Sequence, residues 1–210
     1  MRKKNWSVDE GLFENITVQG TAAIAGAMTV AGGVKTDVNA TSVTTAEHGA
    51  GAIGTGAAPV TSRRAENGTI ITEFKFDITG LYVLGTAADE VIGLEAGGIA
   101  YIGQNVIANN GIIYKAELVC LETPAGSATI TTDIDIATAA SGVLEEGGDA
   151  TSARLINAGT NAVGTVVQNL VPAVTADHYF YIASADTAAT TGTYTAGQYI
   201  LRTYGHPVLT

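Results

Sequence analysis

The residues to weigh first for chemistry are three histidines, one cysteine and a few close-set carboxylates. His48, His178 and His206 stand far apart, none with a second histidine at metal-ligand spacing, and Cys120 has no CxxC partner. His178 lies between Asp177 and Tyr179 at a strand start and His206 precedes Pro207, so both read as loop residues rather than members of a Ser/His/Asp triad. Cys120, in the apolar run AELVCLE, reads as a buried thiol acting as a small hydrophobe. Asp133 and Asp135 in TTDIDIA share one face of a strand, a pairing that suits acid/base work or calcium. The simpler reading puts them on the solvent face of a sandwich strand, with Ile134 and Ile136 in the core. Glu145, Glu146 and Asp149 sit in a glycine-rich loop without EF-hand spacing and read as a solvated acidic loop. The glycines of GAGAIGTG at 49–56 lack the strand-to-helix context of a dinucleotide site. No catalytic residue, cofactor or metal is expected, and the chain is not read as an enzyme.

The elements around these residues are short. With 26 glycines, 14% charged residues and many threonines between β-branched runs, the 210-residue chain has an all-β composition. In EFKFDI, Phe74, Phe76 and Ile78 alternate with Lys75 and Asp77, the mark of a half-buried strand. Further candidates are 90–94, 99–107, 112–122, 128–137, 154–156, 164–170, 179–184 and 199–204. Turn chemistry separates them, with Asn110-Gly111 read as a hairpin and Pro124-Ala125-Gly126 as a turn. This cadence predicts a jelly-roll or β-sandwich body over 67–210; a closed barrel would produce the same pattern, and 35–66 could contribute strands.

Ahead of it, residues 1–66 are expected to form an extended N-terminal arm with short β segments. Its centre is ITVQGTAAIAGAMTVAGG, where Gly20, Gly26 and Gly32 recur every six residues. Ile16 and Val18, then Ile24, then Met28 and Val30 are the apolar positions of this repeat, too few per step to hold a monomer together. The repeat therefore calls for a partner surface, either further copies or another protein. Arg2, Lys3 and Lys4 form a basic tip and Trp6 a possible anchor, so these nine residues are the expected capsid or oligomer contacts.

A net charge of −10 opposes binding to phosphate backbones, so no nucleic-acid partner is expected. The segment MRKKNWSVDEGLF lacks an apolar leader core and no twenty-residue apolar span follows, so neither secretion nor membrane insertion is expected.

The segment TVQGTAAIAGAMTVAGG resembles the glycine-punctuated segments of trimeric tailed-bacteriophage fibres and appendages. The stretch from GIIYKAELVCLETPAG to TAGQYILRTYGHPVL is similar to the β-sandwich of small phage head-decoration proteins, with its PAG motif and a closing strand that carries Arg202. The resemblance implies a virion structural role: a capsid decoration or cement protein, made in the host cytoplasm and placed on the capsid surface. Its implied partners are the major capsid protein and two further copies in a homotrimer. A fibre or tail appendage is the alternative, in which Tyr194 and Tyr199 would be candidates for host glycan. A cellular carbohydrate-binding or adhesin module is the alternative of another class.

Overall fold

The computed structural model describes residues 42–44, 48–95, 97–127, 130–149, 153–170, 172, 174–184 and 191–208. The glycine-punctuated arm, including Arg2, Lys3, Lys4, Trp6, Ile16, Val18, Ile24, Met28 and Val30, lies outside the described residues.

The body runs β1 (Ser42–Thr44), a 3-10 turn (Ala50–Ala52), β2 (Val60–Glu66), β3 (Thr69–Asp77), β4 (Tyr82–Val83), β5 (Tyr101–Gln104) and a one-turn helix α1 (Ile107–Asn110). There follow β6 (Ile112–Gly126), β7 (Ile134–Ala139), β8 (Ala153–Ile156), β9 (Val166–Asn169), β10 (Tyr179–Ser184) and β11 (Gly192–His206). They sort into two antiparallel sheets, so the body is an all-β sandwich rather than a closed barrel. The large sheet has the order β1-β2-β3-β11-β6-β9, with β4 paired to the start of β11; the small one has the order β5-β10-β7-β8. Alternation along each strand sends one set of side chains inward. Phe74, Tyr199, Leu201 and Leu118 of the large sheet meet Ile134, Ile136, Phe180 and Ile182 of the small one, all buried. Phe74 meets Phe180 edge-on at 5.3 Å, and Phe76 stacks on Tyr199 at 5.4 Å. Such pairs add about 0.5–1.5 kcal/mol beyond burial alone.

The outer face of the small sheet is covered as well. Val91, Ala100 and Leu144, from loops, pack on Ala137, Ala139, Tyr181 and Ala183, so β7 is buried along its whole length. The body is thus layered as large sheet, core, small sheet and loops. Tyr181 Oη donates to Ser141 O at 2.7 Å, and burial pushes its pKa up to about 12.

The structure corrects several sequence expectations. The boundary placed between 66 and 67 falls on the turn of the β2–β3 hairpin, so 42–44 and 60–66 belong to the sheet, not to an arm. Asn67 and Gly68 have φ of 47° and 76°, both positive as the two central residues of a type I′ turn require. Asn110-Gly111 is not a hairpin: it ends α1 on the crossover from β5 in the small sheet to β6 in the large one. The buried Asn110 carboxamide accepts from Arg63 Nε and Thr72 Oγ1 and donates to Gln104 O, pinning the crossover to β2 and β3. Pro124-Ala125-Gly126 is the end of β6 rather than a turn. Residues 90–94 make isolated bridges instead of a strand.

Gly103 of β5 is set by Phe74: a Cβ at Gly103 would lie 2.3 Å from Phe74 Cε1. Gly103→Ala is expected to cost about 1–3 kcal/mol in urea unfolding. Adding Phe74→Leu should recover part of that loss, giving a non-additive double-mutant cycle. Strict additivity would remove the close approach as the reason for the glycine.

Candidate functional site

Among the described residues, the outer face of the large sheet is the sheet face with no layer packed over it. Its side chains stand in rows set by strand register. Ser62, Glu73, Arg202, Glu117 and Gln168 form one row across β2, β3, β11, β6 and β9. Arg202 bridges the row: Nε donates to Glu73 Oε1 at 2.7 Å and Nη1 to Glu117 Oε2 at 3.3 Å. Arg64 reaches Glu73 at 3.2 Å, and Lys115 reaches Glu117 at 2.6 Å. Tyr204 Oη and Gln168 Nε2 also donate to Glu117, at 2.7 and 2.8 Å. Lys115 Nζ lies 4.6 Å from the Tyr204 ring centroid. The row beside it is Val60, Lys75, Ile200, Val119 and Val166, mostly apolar, with Val60 37% and Val166 51% exposed. Beyond the ionic row, His206 stacks on Tyr114 at 4.3 Å.

Charge is sorted between the layers. Arg2, Lys3, Lys4 and Lys35 precede the described body; Arg63, Arg64, Lys75, Lys115 and Arg202 all sit on the large sheet, and Arg154 sits on the small one. On the outer face, Arg64, Lys75, Lys115 and Arg202 stand against Glu66, Glu73, Asp77, Glu117 and Glu122, so four cations offset all but one of five carboxylates on a chain of −10. The loops over the small sheet instead gather Asp89, Glu90, Glu95, Glu145, Glu146 and Asp149.

These environments move ionisation in opposite directions. Burial works against the Glu117 carboxylate, but hydrogen bonds from Lys115, Tyr204 and Arg202 hold it below the usual range. Glu73 is lowered in the same way, against burial, by Arg202 and Arg64. Glu146 is raised, first by burial and then by Glu90 and Glu95. Glu90, 2% exposed, is held by backbone N–H groups of Gly85, Thr86 and Ala87 at 2.6–2.8 Å.

The carboxylates singled out in the sequence fare differently from expectation. Asp135 is on the face opposite Ile134 and Ile136, but that face is not solvent: Asp135 is fully buried, paired with Arg154 and accepting from Ala158 N at 2.6 Å. Arg154 also pairs with Asp89. The Asp133 backbone bridges Thr160. Among the described residues no group of three or more His, Cys, Asp or Glu is placed to hold a metal ion. The Cys120 thiol is buried and donates to Glu122 O at 3.2 Å, and burial pushes its pKa up, which keeps it a thiol. His206 ends β11 instead of lying in a loop. Tyr194 and Tyr199, offered as glycan contacts, are 1% and 0% exposed and belong to the core. Two hollows, of about 240 Å³ beside Val60, Lys75 and Asp77 and about 370 Å³ beside Ile70, Ile107 and Pro207, gather few polar groups. The nine arm residues expected as contacts lie outside the described residues, so the candidate site here is the outer sheet face. The sequence reading named only Lys75, Asp77 and Arg202 of it; alternation through VTSRRAE and YKAELV was the signal for the rest.

No described helix is long and apolar enough to cross a membrane. No protein-family model, curated protein or solved structure matches the chain.

Two measurements follow from these environments. Asp135→Ala removes the fully buried partner of Arg154 while leaving Asp89, and is expected to cost about 3 kcal/mol in urea unfolding, with Arg154→Met in the same background restoring part of it. A loss below about 1 kcal/mol would mean the pair is not buried in solution. The second measurement is pH-dependent. A carboxylate with a depressed folded pKa gives its full stabilisation above the unfolded value near 4.5 and loses it as pH falls through the folded value. Glu117→Gln should therefore lower stability at pH 7 by about 1–3 kcal/mol and flatten the decline on acidification. Glu146→Gln has the opposite sign: ionisation costs stability there, so the variant should raise Tm at pH 7 and lose that advantage as pH falls below 4.5. Parallel pH profiles for parent and variants would contradict both assignments.

Proposed function

We propose that this chain is a non-enzymatic virion structural protein, a capsid decoration or cement protein of a tailed bacteriophage. The observation that carries the reading is the outer face of the large sheet. There, charged side chains are already tied to one another on paired strands, giving a preorganised surface suited to docking on protein. An open sheet face of this kind recognises area and shape rather than a small substrate. The arm supplies the second part of the proposal. Its glycine-punctuated repeat precedes β1 in the chain, and a segment with two or three apolar side chains per step gains stability only against a partner. Ordering it costs roughly 1–2 kcal/mol per residue, so attachment has to be spread along its length.

In this reading the partners are the major capsid protein and two further copies in a homotrimer, with the body on the capsid surface. Nucleic acid is not a partner, because a chain of −10 repels phosphate. Host glycan enters only if the protein is a tail appendage, and the two tyrosines first offered for that role lie in the core.

The test is co-sedimentation with capsids lacking this protein. The full chain is expected to pellet with them, and a variant lacking residues 1–34 to stay in the supernatant while keeping its β-sheet circular dichroism and Tm. Binding by the shortened chain would overturn the arm mechanism; failure of the full chain to bind capsids would overturn the decoration reading.

A further inference from the structure

We propose that β9 is a pairing edge, at which a second copy of this chain adds its own β9 antiparallel and the two large sheets become one. β9 is the last strand of the large sheet, and no described strand takes its outer side. Cys120 N donates to Thr165 O at 2.9 Å, which fixes the phase of the β6–β9 ladder. Backbone groups of successive residues point to alternate sides of a strand, so those of Val167 face β6 and those of Val166 and Gln168 face the open edge. The small sheet treats its edges differently. Gly49 N and Gly51 N donate to Tyr101 O and Ile99 O beside β5, and the Asn169 amide donates to Leu155 O on β8. β9, as VVQN, has no lysine, proline or bulge of the kind that keeps an edge from pairing.

Charge and symmetry name the partner. From Leu155 to Ala176 the chain has no Asp, Glu, Lys, Arg or His, its longest run without one. Two chains of −10 repel on most approaches, but this edge brings uncharged strand to uncharged strand. The nearest charges on β6, Lys115 and Glu117, are paired with each other. An edge strand meets its own copy about a two-fold axis normal to the sheet, so the contact is self-complementary and closes. With that axis at Gln168, the two Gln168 residues exchange a pair of backbone hydrogen bonds. Val166 of each copy then lies beside Leu170 of the other, covering side chains that are 51% and 65% exposed in the single body. The same axis keeps both outer faces on one side of the joined sheet. A contact one strand wide is weak, at the low end of specific interfaces. The inference goes beyond the capsid reading and does not rest on it; a trimer joined through its arms keeps one β9 edge per copy for a neighbouring trimer.

The experiment is disulfide trapping in the full chain at about 100 µM, a concentration suited to a weak contact. Cα atoms of a hydrogen-bonded antiparallel pair lie about 5.5 Å apart, within disulfide reach. Mild oxidation of the Gln168→Cys chain should give a covalent dimer on a non-reducing gel. The yield should be about tenfold that of Val143→Cys, a position 67% exposed in the loop layer where thiols meet only by collision. The parent should give none, because Cys120 is buried. Adding Val166→Pro removes an N–H that faces the edge and not β6, so the dimer should be lost with Tm unchanged. A Gln168→Cys yield no higher than that of Val143→Cys overturns the proposal, as does a dimer that survives Val166→Pro. Mixing Gln168→Cys with Val18→Cys chains tests the other occupant. A mixed disulfide formed in preference gives the edge to the arm and defeats this inference, while the capsid reading still stands or falls by co-sedimentation.

Discussion

The structure depends on the register of β11. This strand pairs with β3 from Gln198 to Gly205 and with β6 from Tyr194 to His206, so its backbone polar groups are used on both edges. Its two faces carry opposed demands. Tyr199 and Leu201 point into the sandwich, while Arg202 and Tyr204 point outward to Glu73 and Glu117. A slip of one residue would put Arg202 in the core and Leu201 in water. The core and the ionic row therefore select the same register, and each strand beyond β11 takes its place from it.

The fold class was legible because alternation is a local signal. The candidate strands at 179–184 and 199–204 became sheet, and in the run Phe74–Ile78 the side chains of Phe74, Phe76 and Ile78 are buried as their alternation predicts. What local reading could not supply was partner choice. Asn-Gly occurs twice, at 67–68 and 110–111, and the pair flanked by the more apolar runs was taken for the hairpin. The true hairpin joins β2 to β3, where β2 is polar enough, as VTSRRAE, to pass for a surface connection. Thr61 is buried on its inner side and Arg63 bonds to Asn110, contacts that exist only after β5, α1 and β6 have crossed between the sheets. The long β6 and β11 were likewise cut short in the reading, because Pro124 and the glycines at 192 and 197 look like breakers when their neighbours are unknown.

The candidate site was less legible than the fold. Glu117 and Arg202 are 85 residues apart in the chain, and nothing in AELV or ILRT announces that they meet. Asp135 shows the complementary failure: the face was assigned correctly and the environment was not. Alternation tells which side of a sheet a residue is on, but whether that side meets water depends on loops such as those bearing Val91 and Leu144.

An acidic chain with few cations has to choose where its buried carboxylates are neutralised. Here Glu73 and Glu117 take Arg64, Lys115 and Arg202, Asp135 takes Arg154, and Glu90 takes backbone N–H groups and the Thr86 hydroxyl. Glu146 takes no cation and is left near Glu90 and Glu95, where its charge is unfavourable. Repulsion is thus concentrated in the loop layer, which has freedom to relax, and withdrawn from the sheet, whose register would suffer from it. The same division gives the body an orientation. The loop side carries uncompensated negative charge felt over a Debye length of about 8 Å at physiological salt, while on the sheet side four cations offset all but one of five carboxylates. Cation placement that secures the register of β11 therefore also leaves the outer sheet face with nearly balanced charge.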